Sequence, residues 1–150
     1  LLTNAWGRPL EFRLSSAVQP TRVQQILYGP TLSEYLHGEL LGKTLVEKAG
    51  LKPGLIIADR RAALSLRDRL DVPVVAVLAK GETAEEGWIA FQHERSSSML
   101  VMDARHGADR EHVLARLELV DTAVDLAEPF TRIREAVTES RKTGAVNRVA

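Results

Sequence analysis

Two stretches of the 150-residue chain set acids, bases and a histidine at spacings that could do chemistry. The first is K-P-G-L-I-I-A-D-R-R, residues 52–61, where a short apolar run ends in Asp59, Arg60 and Arg61. A second apolar run, V-P-V-V-A-V-L-A, residues 72–79, ends at Lys80. If these runs are adjacent parallel strands, the residues just past them gather at one rim of the sheet, where open α/β sheets bind ligands. A carboxylate there can hold a divalent metal or orient water, and the cationic side chains can take a phosphate. The plainer role for Asp59 is a helix N-cap, because aspartate readily accepts the unpaired N–H groups that open a helix.

The other stretch is M-D-A-R-H-G-A-D, residues 102–109. Asp103, His106 and Asp109 could ligate a metal or form an acid–base pair. Their spacing matches no defined metal motif, and the plainer reading is a polar loop that turns at Gly107 and caps a helix with Asp109. His37, His93 and His112 are scattered, and none stands four residues from another histidine. Cysteine is absent, which excludes thiol nucleophiles, disulfides and Cys-based zinc sites and fits a cytoplasmic address. There is no phosphate-binding G-x-x-x-x-G-K-[ST] or G-x-G-x-x-G, and no G-x-S-x-G serine elbow.

Twenty acidic residues balance twenty basic ones, so no excess positive charge points to nucleic acid, and nothing electrostatic keeps copies of the chain apart. Aromatics are 5% of the chain and are not interleaved with basic residues, so a stacking platform for single strands is not expected. No apolar run approaches the roughly 18 residues that span a membrane.

The elements that must position these residues follow from periodicity. Leu1–Asn4 and Leu10–Ser15 read as the arms of a hairpin around a Gly/Pro turn, with Leu10, Phe12 and Leu14 alternating inward. Residues 23–28, V-Q-Q-I-L-Y, read as a weaker strand. A buried helix is expected from Thr31, capped by T-L-S-E and ended by a left-handed Gly50. Gly38 and Gly42, one turn apart on it, would admit another backbone closely. Leu55–Ala58, a helix over Arg61–Leu70 packing Ala62, Ala63, Leu66 and Leu70, and the run after Pro73 form a right-handed βαβ unit. Residues 87–92 and 98–104 are two further strands, followed by helices over 109–119 and from Asp125, the latter with the stripe Leu126, Phe130, Ile133 and Val137.

The expected fold is a single α/β domain over residues 1–140, a mixed sheet with an N-terminal hairpin and helices on both faces, and a basic frayed tail over 141–150. Ribonuclease-H-like and Rossmann-like sandwiches are the topological analogues, an analogy of fold alone. A metal-dependent nuclease of the former kind needs several carboxylates, one of them on the first strand. L-L-T-N-A-W has no acid, so Glu11 and Glu34 or Glu39 would have to stand in. The expected function is therefore a non-catalytic binding or assembly module, acting on a protein partner or a second copy. The alternative is a metal- or phosphate-handling enzyme with a divalent metal, using Asp59, Asp103 and His106 with Arg60, Arg61 and Lys80.

Overall fold

The computed structural model describes residues 1–142, so most of the expected tail lies outside the described residues. The fold is α/β. A four-stranded mixed sheet is built from β3 (Ile56–Ala58), β4 (Val74–Val77), β5 (Trp88–Phe91) and β6 (Leu100–Asp103), in the order β3-β4-β6-β5. The first pair is parallel, with Ile56 opposite Val74, and the other two pairs are antiparallel. The crossover from β3 to β4 is a 3-10 helix, Arg61–Asp68, in place of the expected α-helix. It buries Leu64 and Leu66, while Ala62 and Ala63 stay half-buried.

Period-two alternation along β4 divides the core between two layers. Val75 and Val77 join Phe91, Leu100 and Met102 on the face covered by α4 (Arg110–Glu118) and α5 (Glu128–Lys142), where they meet Val113, Leu117 and Leu126. Val74, Ala76 and Leu78 join Val101 on the opposite face, under Leu64 and Leu66. All four β4 residues are buried, and each valine or leucine so placed contributes about 1.5–3 kcal/mol. β3, at the sheet edge, is only half-buried and has one hydrogen-bonded neighbour. The edge is short and follows Pro53 and Gly54, features that discourage strand addition.

The first fifty residues depart from expectation. β1 (Leu2–Thr3) and β2 (Pro9–Glu11) pair as a separate two-stranded sheet. Leu10 and Phe12 face solvent, because the hairpin does not lie on the core. Residues 23–28 are helical: α1 (Arg22–Tyr28) is opened by a capping box in which Thr21 accepts from the Gln24 N–H and the Gln24 side chain accepts from the Thr21 N–H. That reciprocal cap overrides the strand propensity of Val23, Ile26 and Tyr28. Thr31 makes no such cap; its hydroxyl donates to the Tyr28 carbonyl. The chain then runs through α2 (Leu32–Glu34), a π-helical stretch Tyr35–Gly42 and α3 (Lys43–Glu47), ending before Gly50. Gly38 is the one buried residue of the π-helical stretch. A Cβ at Gly38 would stand 2.1 Å from the Ser65 Oγ, so the close approach foreseen there is made by the 3-10 crossover of the same chain.

Candidate functional site

Register separates the residues that the sequence grouped at one rim. Ala76 pairs with Val101 and Val77 with Leu100, so Asp103, at the end of β6, is level with Val74, at the start of β4. Asp59 and Lys80 follow the other ends of β3 and β4. Six residues of extended chain separate the level of Asp103 from Lys80, about 20 Å. Asp103 and His106 therefore stand at one end of the sheet, and Asp59 and Lys80 follow the strands at the other.

At the latter rim the side chains engage different partners. Arg60, in extended backbone, occupies the N-cap position of the crossover, and no side chain caps it. Asp59 instead accepts from the Arg134 guanidinium of α5 at 3.0 Å, which makes it a tie between β3 and α5. Arg61 turns away from that rim: it pairs with Glu85 and lies 5.5 Å from the ring centroid of Trp88, the strand partner of Asp103, a cation–π contact. Lys80 is exposed in the turn after β4.

The opposite rim is a compact charge cluster. Asp103 caps the 3-10 turn Ala104–Asp109 by accepting from the Arg105 N–H at 2.8 Å, while Asp109 stands at the expected N-cap position of α4 without a side-chain capping bond. The Arg105 guanidinium bridges Asp103 at 2.6 Å and Asp68 at 3.0 Å, and His106 Nε2 lies 2.8 Å from the other Asp68 oxygen. Asp109 is held by Arg67, Nε to Oδ2 at 2.7 Å. The Asp68 carboxyl is held below the usual carboxylate range, first by the His106 hydrogen bond and then by Arg105. Asp103 is lowered first by the Arg105 side chain, which is itself raised by both acids. Asp68, supplied by the crossover, is the member that sequence reasoning missed: nothing local links it to a histidine 38 residues away. Among the described residues, no group of three or more acids and histidines is placed to hold a metal ion.

A concave feature lies elsewhere. A groove of about 760 Å³ runs between the hairpin, residues 42–58 and the start of α5. Its walls include Leu10, Leu45, Leu51, Ile56, Phe130 and Ile133. Glu11, Arg13, Lys52 and Arg116 also line it. Glu11 fixes one wall by accepting from the Gly50 N–H at 2.9 Å while pairing with Arg13, and these contacts lower its carboxyl, Arg13 foremost. The hairpin is tied to the rest by the Asp121 N–H donating to the Ala5 carbonyl at 2.9 Å and by Arg132 reaching the Gly7 carbonyl at 3.4 Å. The groove is assembled from segments far apart in the chain, so no local sequence signal marks it.

Comparison with protein-family models, with curated proteins and with solved structures found no match to this chain. No helix among the described residues is long and apolar enough to cross a membrane.

Proposed function

We propose that the chain is a non-catalytic binding or assembly module whose working surface is the apolar groove beside the hairpin. The observation that carries this reading is the groove itself: about 760 Å³, walled by aliphatic and aromatic side chains, with charged groups around it. Its size falls in the range of binding pockets, and its chemistry suits an apolar side-chain cluster better than a charged metabolite. The enzyme alternative drew its carboxylate, histidine and cations from one rim. Asp59 and Lys80 follow one end of the sheet, Asp103 and His106 the other, and Arg61 is held by Glu85 and Trp88, which favours the binding reading because general acid–base or metal chemistry needs groups within hydrogen-bond reach.

Thermal melts of the whole chain test the choice. Mg²⁺, Mn²⁺, Zn²⁺ and a nucleotide panel should leave the melting temperature unchanged, since only a ligand of the native state raises it. The apolar dye anilinonaphthalene sulfonate should bind the native protein, and Leu51→Arg should reduce its emission. A metal- or nucleotide-dependent rise in melting temperature that Asp59→Asn abolishes would defeat the proposal.

A further inference from the structure

We infer that the groove receives α1 of a second copy of this chain, so that two copies exchange α1 reciprocally in a symmetric dimer. The inference rests on the binding reading and names its partner. α1 is seven residues long and none of them is buried. Its apolar residues Val23, Ile26 and Leu27 fall at the i, i+3, i+4 spacing of one helix face and are 63%, 64% and 76% exposed. Its substantial packing is confined to the residues that follow it, 29–35, including the stacking of Tyr28 on Tyr35. A helix this short, with its apolar stripe in water, lacks the tertiary contacts that normally sustain helices below about 12–15 residues. The stripe is the anchor pattern with which amphipathic helices enter apolar grooves.

Three observations point to a second copy as the occupant. First, the stripe and an apolar groove are carried by the same chain, and an isologous pair uses both twice. Second, the exposed area suits a small, reversible interface. Of the eleven large apolar side chains exposed among the described residues, Val23, Ile26 and Leu27 form the stripe and Leu1, Leu10 and Leu51 line the groove, at 38% to 76% exposure. A fully exposed aliphatic side chain presents roughly 60–120 Å², so these six offer roughly 200–400 Å² per copy. That is less than the apolar share of a standard interface of about 800 Å² per partner and falls in the smaller class of transient contacts. Third, the net charge is zero, so copies approach without repulsion. The connection permits the exchange: residues 12–21, between β2 and α1, carry no regular structure and reach about 33–36 Å when extended.

Analytical ultracentrifugation of the full chain over a concentration series should give a monomer–dimer equilibrium. Leu27→Arg on the stripe and Leu10→Arg on the groove wall should each raise the dimer dissociation constant roughly tenfold to a hundredfold. Both side chains are largely exposed, and circular dichroism should verify that each variant remains folded. Mixing the two variants restores one intact stripe-to-groove contact, so a heterodimer should form more tightly than either variant homodimer. A dimer insensitive to Leu27→Arg, or one weakened by Leu27→Arg but not by Leu10→Arg, overturns the exchange. A strictly monomeric chain also overturns it. If that monomer still binds a synthetic peptide of residues 18–29, the binding reading survives without self-association; if it binds neither, both fall.

Discussion

Arg105 is the residue on which most of the polar cluster converges. One guanidinium satisfies Asp103 and Asp68, and its own backbone N–H meets Asp103 again. Both carboxyls have folded pKa values below their unfolded values. The stability they contribute is therefore fully present above about pH 4, the unfolded carboxylate range, and is lost as pH falls through the lower folded values. Solvent reaches much of the cluster, so its worth is modest. Arg105→Ala should cost about 1 kcal/mol at neutral pH and flatten the acid limb of a melting-temperature profile measured from pH 6 to pH 2. An acid limb as steep in Arg105→Ala as in the unaltered chain would show that the cluster is stabilised by something else. Arg67 presents a stiffer case. Its side chain and that of Asp109 are 22% and 19% exposed, and it also donates to the Leu70 carbonyl at 3.0 Å. Arg67→Met should cost about 1–3 kcal/mol in urea unfolding, because Asp109 is left partly buried and unpaired. Neither partnership was readable in the sequence. Asp59 and Arg134 are 75 residues apart, Arg67 and Asp109 are 42 apart, and an aspartate before a turn is locally indistinguishable from a cap.

At the level of elements, what the sequence disclosed followed how local each signal was. The β3-to-β4 crossover was legible because both strands are uninterrupted apolar runs separated by one helical turn pattern, and such a crossover has one favoured hand. The α5 stripe was legible in part: Phe130, Ile133 and Val137 are half-buried on the helix, whereas Leu126 is buried in the turn before the helix starts at Glu128. α1 was misread although its T-R-V-Q box is a helix-start signature, because β-branched and aromatic residues inside it outweighed the cap. The helical passage from Leu32 to Glu47 was expected to be well buried; its apolar side chains are half-buried, and the tight contact is made by glycine. Gly38→Ala brings a Cβ against Ser65, which should more than cancel the roughly 1 kcal/mol that alanine gains in helix propensity and leave the variant about 1–3 kcal/mol less stable. The double variant with Ser65→Ala removes the hydroxyl but leaves the Leu66 backbone nitrogen at 3.3 Å and the residue-65 Cβ at 3.4 Å, so part of the loss should return. Chemical unfolding of both variants checks this. Equal stabilities for the single and double variants would exclude the contact as the cause.

The whole molecule divides its cohesion unevenly. Buried apolar residues of the core lie between Leu64 and Leu126, whereas the large apolar side chains of the first fifty residues are exposed or half-buried and none is buried. Residues 1–50 should therefore exchange amide hydrogens faster than β4 and β6, whose residues are almost all buried, and dimerisation should slow exchange selectively across residues 22–28 and the groove wall. The two tryptophans sit on either side of this divide. Trp6 is 66% exposed at the hairpin tip, and Trp88 lies half-buried beneath Arg61 on the main sheet. Their placement gives the chain a built-in pair of optical gauges: iodide should quench one emission component readily and the other sparingly, so a single fluorescence titration can follow the fate of each end without any label.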